Sequence, residues 1–283
     1  MKLIDTHQHL IYREEISYSW TNEIKILSKN NFTIQDYKNL TNEFDIEGTI
    51  FMETGVDDND YKKEFNFINS LKENKENNIF GIIASIRPET KYNFDSWLEE
   101  TIDMDVLGYR RILHEINDDV SQSDIFRNNI RKIGKASKTF DMCFLAKQLP
   151  LAIELASKCD NTILVLNHCG VPDISSESLD PWRDDIKSLS LRPNVICKLS
   201  GLMAYCKPND SSFEKIEPYV DHVLNCFGSN RILWGSDWPV VNLGKGLKEW
   251  IKISHSILNN LSIDEATKIG SETAKKIYKI NYK

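Results

Sequence analysis

The chain has 283 residues, of which 41% are hydrophobic and 27% charged, and its formal net charge is -7. These fractions are typical of a globular protein with a substantial core, and the acidic balance provides no overall field that would attract nucleic acid or an anionic membrane. No stretch approaches the roughly 20 apolar residues of a membrane helix, so we expect partners other than nucleic acid or a membrane.

The N-terminus and the cysteines indicate a cytoplasmic protein. Met1 and Lys2 lead directly into an apolar run, without the apolar segment and small-residue cleavage site of a signal peptide. The six cysteines are scattered and form no CxxC pair, which predicts reduced thiols rather than disulfides. The sequence gives no indication of an oligomeric state.

Eight short apolar runs alternate with longer amphipathic segments along the chain. In order, the runs are LIDTH, GTIFMET, IFGIIASI, VLGYRRIL, MCFLA, TILVLNH, VICKLS and RILWGSD. The segments between them carry helix signals, such as Thr33 as an N-cap and a capping box formed by Ser262 and Glu265. Apolar strands that alternate with helices predict a parallel sheet covered by helices, and eight such units are the number that closes a (β/α)8 barrel.

A doubly wound open sheet is the alternative fold, but it usually has fewer strands and a glycine-rich phosphate turn after the first strand. Here histidines follow the first run. We therefore predict a single α/β domain over residues 1–283 with the architecture of a (β/α)8 TIM barrel. The longest irregular segment, about residues 10–32, is a candidate lid or rim loop.

Ionisable side chains stand at the end of nearly every run. In a closed barrel these ends form the active site. Burying a charged group there is unfavourable unless it has a partner or binds a ligand. His7 and His9 are two residues apart on a strand and point to the same face. His168 ends the sixth run and Asp237 the eighth, so we expect these four side chains to converge.

Three imidazoles and a carboxylate suit a zinc-like or manganese-like divalent ion. Such an ion would lower the pKa of its bound water toward about 7 and polarise a carbonyl group. Without a metal, the histidines could polarise a carbonyl by hydrogen bonding. Asp237 could serve as a general base toward the attacking water.

Adjacent arginines on the fourth run, Arg110 and Arg111, must point to opposite sides of the strand. We expect Arg110 to face the pocket and bind a substrate carboxylate or hydroxyl groups, and Arg111 to form an ion pair among the helices. Glu53, at the end of the second run, is a candidate ion-pair partner for Arg110 or Lys198.

Further residues are candidates for substrate binding. Lys198 lies in the middle of the seventh run, and we expect its side chain to reach the polar mouth of the barrel. His114 follows the fourth run, and Trp238 follows Asp237 directly. With Arg110, these three complete the predicted substrate-binding set.

The motifs DTHQH, NHCG and GSDWPV, in this order, resemble those of the amidohydrolase superfamily. With GYRRILHE, QLPLAIELA and NVICKLSGL between them, they are similar to its amidohydrolase-2 branch of sugar lactonases and 2-pyrone-dicarboxylate-lactonase-like hydrolases. The resemblance spans Leu3 to about Tyr278. It implies a distorted (β/α)8 barrel in which His7, His9, His168 and Asp237 are both the catalytic residues and the metal ligands.

The implied cofactor is one divalent metal ion, with zinc as the first choice, although some lactonases of this branch work without one. Metal-dependent members of the wider superfamily commonly have a histidine at the end of strand five and a lysine or glutamate bridge at strand four. Here strand five ends in FLAKQLP and strand four offers arginines. A binuclear centre is therefore not expected.

The resemblance implies a hydrolase of carbohydrate metabolism that opens a lactone, a small-molecule substrate, with a sugar-acid lactone as the first choice. Two alternatives stay open: a metal-dependent non-oxidative decarboxylase of an aromatic acid using the same residues, and a ligand-binding barrel that has lost catalysis. The KLSGL and GSDWPV motifs favour the lactonase.

Overall fold

The computed structural model describes residues 1–207 and 210–280. Its sheet has eight parallel strands in the order β1 to β8: β1 (Leu3–Gln8), β2 (Ile46–Met52), β3 (Ile79–Ser85), β4 (Gly108–Ile112), β5 (Thr139–Cys143), β6 (Leu164–Leu166), β7 (Val195–Leu199) and β8 (Ile232–Trp234). Each strand overlaps one of the eight apolar runs. The predicted (β/α)8 barrel is confirmed. The last residues of the predicted domain, 281–283, lie outside the described residues.

Helices follow the strands as the alternation predicted. They are α1 (Ile34–Thr41), α2 (Tyr61–Glu73), α3 (Phe94–Asp103), α4 (Asp119–Gln122), α5 (Asp124–Lys135), α6 (Leu149–Lys158), α7 (Trp182–Ser190), α8 (Phe213–Phe227), α9 (Leu247–Asn259), α10 (Ile263–Thr267) and α11 (Thr273–Tyr278), the last two joined by a π-helical turn, Lys268–Glu272. The predicted caps are present, since the Thr33 and Ser262 side chains accept backbone N–H groups in the first turns of α1 and α10. Within the described chain, no helix is long and apolar enough to cross a membrane.

The apolar core of the barrel has two parts, and a third apolar cluster in the described chain, Ile11, Ile16, Tyr18 and Val56, lies in the segments after β1 and β2. The larger part lies between the strands and the helices. The smaller part contains side chains from six of the strands, against which α11 packs, and consists of Ile4, Ile50, Met52, Ile83, Val165, Ile196, Leu233, Ala274 and Tyr278. The interior of the barrel is therefore packed rather than open.

The seam between β8 and β1 runs through residues that follow the two strands. The Asp237 N–H donates to the His7 carbonyl at 2.8 Å, and the His9 N–H donates to the Trp238 carbonyl at 2.8 Å. The barrel therefore closes at the same residues in which the sequence predicts the site.

The segment after β1 forms part of the rim. Ile11 and Phe32 pair with each other through two backbone hydrogen bonds of 2.9 Å. The Trp20 indole N–H donates to the Thr54 carbonyl at 2.8 Å, and Trp20 and Ile24 line the cavity at the barrel mouth. The structure thus fixes the predicted rim loop to the end of β2.

Candidate active site

Four side chains from three distant parts of the sequence, His7 and His9, His168, and Asp237, meet at the carboxyl ends of β1, β6 and β8. The Asp237 Oδ1 atom lies 3.8 Å from His7 Nε2, 3.4 Å from His9 Nε2 and 3.8 Å from His168 Nε2. All four residues are buried. One carboxylate oxygen therefore faces three imidazole nitrogens in a site from which bulk water is largely excluded.

The backbone is strained at two of these residues. His168 has a φ of 52° and Asp237 a φ of 57°, a left-handed conformation that is costly for residues other than glycine. Hydrogen bonds hold Asp237 in place, because its N–H donates to the His7 carbonyl and its own carbonyl accepts the Val241 N–H, both at 2.8 Å. Such strain concentrates at functional sites, where the surrounding structure must maintain it.

The ring nitrogens are oriented by neighbouring groups. His9 Nδ1 is 2.9 Å from the Met52 carbonyl. Because that oxygen can only accept, Nδ1 carries a proton, and a neutral ring has a free lone pair at Nε2. His168 Nδ1 contacts the Ser200 hydroxyl at 2.9 Å.

Burial keeps two of the imidazoles uncharged. It lowers the pKa of His168 to about 4, with nearby positive groups adding to the effect and Asp237 opposing it. Burial and the charge on neighbouring groups also lower the pKa of His7 well below its usual value. Both rings are neutral at pH 7 and can act as metal ligands or hydrogen-bonding groups.

Arg110 lies inside the barrel and is held by Glu53. Its Nε donates to Glu53 Oε1 at 2.6 Å, and its Nη2 donates to the Glu53 carbonyl. Although burial opposes ionisation of Glu53, the guanidinium of Arg110 lowers the pKa of this carboxyl below its ordinary value. The remaining nitrogen, Nη1, lies 3.4 Å from His7 Nε2. Arg111, which we expected to pair among the helices, instead pairs with Glu89 in the loop after β3 at 2.7 Å and also borders the cavity at the barrel mouth.

The structure corrects the expected position of Lys198. Its side chain is fully buried and binds Asp141 at 2.6 Å and the Thr6 carbonyl at 3.1 Å. The ammonium group therefore does not reach the mouth of the barrel, because a buried carboxylate on β5 and a carbonyl on β1 hold it inside. The alternation of strand side chains gives the side to which a residue points but not its depth.

The position of Trp238 also differs from the expectation. Its ring packs against Phe32 and Tyr37, with centroids 5.6 and 5.5 Å away, and only 1% of the residue is exposed. The chain turns at the left-handed Asp237, which carries the next side chain into the core instead of the cavity. Trp238 therefore supports the seam and does not line the pocket.

A cavity of about 540 Å³ opens above His9, His168 and Asp237, whereas His7 is not among its lining residues. Its volume suits a small ligand. Residues of the site and rim line it together, among them His9, Trp20, Glu53, Arg87, Arg110, Arg111, His114, Cys143, His168, Tyr205 and Asp237. The predicted substrate-binding residues Arg110 and His114 are thus on its wall.

His114 and Cys143 lie side by side in this wall, with 3.5 Å between Nδ1 and Sγ. This spacing would suit a nucleophile and its base. Burial, however, raises the pKa of the Cys143 thiol to about 12, so the group is a thiol at neutral pH. The pair therefore offers polar contacts to a ligand rather than an activated sulfur.

Several residues that shape the site are not assigned by the sequence patterns. Asp141 lies just outside the fifth apolar run, which starts at Met142, whereas β5 begins at Thr139. Ser200 orients His168, and a polar residue at the end of an apolar strand is its only signal. Tyr205 lines the cavity, with its ring centroid 6.2 Å from that of His168, and no sequence pattern marks it.

The donor groups fit a divalent metal ion. His7, His168 and Asp237 each offer a ligand atom within 4.8 Å of the others, and His9 Nε2 lies beside them, 3.4 Å from Asp237. Asp237 Oδ2 and His7 Nδ1 are buried, and neither finds a hydrogen-bond partner within residues 1–207 and 210–280. Neutral imidazoles and a carboxylate with a free oxygen are the donors that zinc prefers.

The fold and the site together define a (β/α)8 barrel whose candidate active centre lies at the carboxyl ends of its strands. The sequence profile of the amidohydrolase family matches residues 4–280. The chain therefore belongs to the amidohydrolase family, as the motifs predicted.

Individual proteins are also similar to this chain. A curated L-fucono-1,5-lactonase from Burkholderia ambifaria is 33% identical over 137 residues, which are 48% of this chain and 47% of the relative. The chain thus matches about half the length of that relative. An amidohydrolase from Burkholderia multivorans, crystallised with bound zinc, is 23% identical with a TM-score of 0.88, covering 99% of this chain and 100% of the other.

A probable 2-pyrone-4,6-dicarboxylic acid hydrolase from Acinetobacter baumannii, crystallised with citric acid, is 17% identical with a TM-score of 0.76. This match covers 99% of the present chain and 100% of the other. At these identities the two solved structures establish the shared fold.

Proposed function

We propose that this chain is a hydrolase that opens the C–O ester bond of a lactone, with a sugar-acid lactone as its substrate. The observation that carries the proposal is the buried contact of the Asp237 carboxylate with the imidazoles of His7, His9 and His168 at the wall of a ligand-sized cavity. The resemblance to L-fucono-1,5-lactonase supports the class of substrate.

In the proposed reaction, Asp237 acts as the general base. Its Oδ2 has no partner among the described residues and accepts a proton from water as the water oxygen attacks the lactone carbonyl carbon. The C–O ester bond then breaks, and Asp237 returns the proton to the leaving ring oxygen. The product is an open-chain hydroxy acid, and the carboxyl group ends in its original state.

We propose that His7, His9, His168 and Asp237 hold one divalent ion, with zinc as the first choice. When bound, such an ion supplies positive charge that polarises a carbonyl and acidifies a water molecule. The His9 tautomer supports this assignment, since its Nδ1–H is engaged with the Met52 carbonyl and the neutral ring therefore presents a lone pair rather than a proton toward Asp237.

Arg110 and His114 are proposed to contact the substrate. Two of the guanidinium nitrogens are engaged with Glu53, which leaves Nη1 to face His7 and the ligand. A fixed positive charge here favours the negative charge that develops on the carbonyl oxygen during attack. His114, at the rim, is in reach of a hydroxyl or carboxylate group farther along the substrate.

The test is an assay of the purified protein on a panel of sugar-acid lactones, including L-fucono-1,5-lactone, with a pH indicator that reports acid release. We expect acid release above the spontaneous rate for at least one lactone. Binding of lactones without acid release would instead indicate a barrel that has lost catalysis.

Aromatic acids should be assayed in parallel by loss of their ultraviolet absorbance. Decarboxylation with no lactone opening, abolished by a chelator and restored by metal, would replace the lactonase proposal with the decarboxylase alternative. Metal analysis of the same preparation tests the proposed ion directly.

A further inference from the structure

A buried ion pair crosses the interior of the barrel. The Lys198 Nζ on β7 lies 2.6 Å from Asp141 Oδ1 on β5, and both side chains are fully buried. The same ammonium group donates to the carbonyl of Thr6 on β1 at 3.1 Å. Since β1, β5 and β7 are not neighbours in the sheet, these contacts tie three separate walls of the barrel together.

Each end of this pair is bonded to the residue that precedes a histidine of the candidate site. Lys198 binds the carbonyl of Thr6, which is followed by His7. Asn167, which is followed by His168, donates its Nδ2 to Asp141 Oδ1 at 2.7 Å. The two histidine rings lie 4.4 Å apart between their centroids.

The strand that carries Lys198 also reaches His168 from a second direction. Ser200, directly after the end of β7, contacts His168 Nδ1 at 2.9 Å. The Cys169 thiol contacts the Lys198 carbonyl at 3.6 Å. The position of Lys198 is therefore coupled to the neighbours of His168 as well as to Thr6.

A gain in folding stability does not by itself explain why the chain buries this ion pair. Removing two charges from water is costly, and well-packed neutral side chains often replace a buried ion pair without loss of stability. We infer that Lys198 and Asp141 are positioning residues that fix the separation and orientation of the His7 and His168 imidazoles. The effect of this ion pair on catalysis rests on the proposed function, whereas its effect on the orientation of the two imidazole rings does not.

The test uses the double variant Lys198→Met, Asp141→Asn. Methionine removes the charge and the bond to Thr6, while asparagine keeps an acceptor for Asn167 and leaves no unpaired carboxylate. The matched control is Arg127→Met, Glu154→Gln, which neutralises an ion pair of 2.7 Å between α5 and α6. Both should be compared with the parent in thermal unfolding, kcat and KM, and the ring ¹⁵N signals of histidine-labelled protein without substrate.

We expect both double variants to fold. In the Lys198/Asp141 variant kcat should fall by about 10–100-fold, the range for residues that orient the groups of a metal or catalytic site, with KM changed less than about twofold. The His7 and His168 ring signals should move, and those of His222 and His255, which lie on outer helices, should not. The control should leave kcat and all ring signals unchanged.

Unchanged His7 and His168 signals, or a fall in kcat that only matches a loss of folded protein, would overturn the inference. If the double variant does not fold, Asn167→Ala alone decides, since it removes the hydrogen bond to Asp141 Oδ1 but leaves the ion pair intact and should move the His168 ring signal more than that of His7. If the parent opens no lactone, the proposed function fails, but the ring signals still decide whether the ion pair positions the two histidines.

Discussion

Gly201 follows β7 with a φ of +72°, and a Cβ atom added there would lie 2.5 Å from His168 Nδ1 and 3.0 Å from Asp237 Oδ2. The first distance is shorter than real Cβ contacts allow, and the neighbouring ring is held by Ser200. The imidazole of His168 and the carboxylate of Asp237 can therefore lie this close to residue 201 only because glycine has no side chain. A single methyl group at this position should displace the imidazole from the carboxylate.

We expect Gly201→Ala to lower kcat by more than about tenfold and to destabilise the fold by about 1–2 kcal/mol, the cost of a left-handed backbone for an alanine. The matched control is Gly228→Ala, because Gly228 has a φ of +65° but nothing within 4 Å of an added Cβ. Steady-state kinetics and thermal unfolding of both variants separate the two effects. Equal activities in the two variants would contradict the steric argument.

Arg110 and Arg111 allow a comparison between adjacent side chains of the same type. Arg110→Lys keeps the charge but cannot maintain two separate bonds to Glu53 together with the contact to His7. We expect kcat/KM for the lactone to fall by roughly tenfold or more. Arg111→Lys should change it by less than about threefold, since Arg111 pairs with Glu89. A larger fall in kcat/KM for Arg111→Lys than for Arg110→Lys would show that Arg111 is the arginine that binds the substrate.

At the scale of an element, α2 supports the end of β2 through a buried carboxyl group. Glu64 accepts the Thr54 N–H at 3.0 Å, next to the Glu53 that holds Arg110. Burial, with the nearby charge of Glu53, raises the pKa of Glu64 from 4.5 to about 8. The folded protein thus keeps a proton on Glu64 over a pH range in which the unfolded chain loses it.

The consequence is a fall in the free energy of unfolding as the pH rises from about 4.5 to about 8, because the unfolded state binds fewer protons there. Glu64→Gln retains an acceptor for Thr54 and removes this dependence. We expect the variant to be more stable than the parent at pH 8 and to show a smaller loss between pH 5 and 8 in denaturant unfolding. Glu73→Gln, at the exposed end of the same helix, is the control. Parallel stability curves for parent and Glu64→Gln would disprove the assignment.

At the scale of the whole molecule, the proposed metal would join residues at both ends of the chain. A ligand at 100 times its Kd adds about 2.7 kcal/mol to stability, which corresponds to roughly 5–10 °C in Tm for a chain of this size. We therefore expect zinc to raise the Tm of metal-stripped protein by about this amount. His168→Asn should abolish the shift, and His222→Asn, which alters a surface contact with the Arg183 carbonyl, should retain it. An equal shift in both variants would place the zinc elsewhere.

The sequence was sufficient to predict the barrel because every strand is an apolar run of its own, and the residues that end those runs point to the site. Two-residue spacing was enough to place the imidazoles of His7, in β1, and His9, directly after β1, on one side, with ring centroids 4.9 Å apart. It could not show how deeply Lys198 lies, since depth depends on the partner that Asp141 supplies from another strand. Nor could it place Trp238, because a left-handed turn at Asp237 redirects the chain in a way that no residue pattern indicates.

The central claim is that the Asp237 carboxylate, set among three imidazoles, opens a lactone ring. The most direct measurement is the rate of lactone opening by Asp237→Asn beside the parent, with lactone binding and thermal unfolding measured on the same samples. We predict a fall in kcat of about 10²–10⁴-fold, the usual contribution of a general base, with lactone affinity within a few-fold and the fold retained. A variant that opens the lactone within about threefold of the parental rate would contradict this role of Asp237.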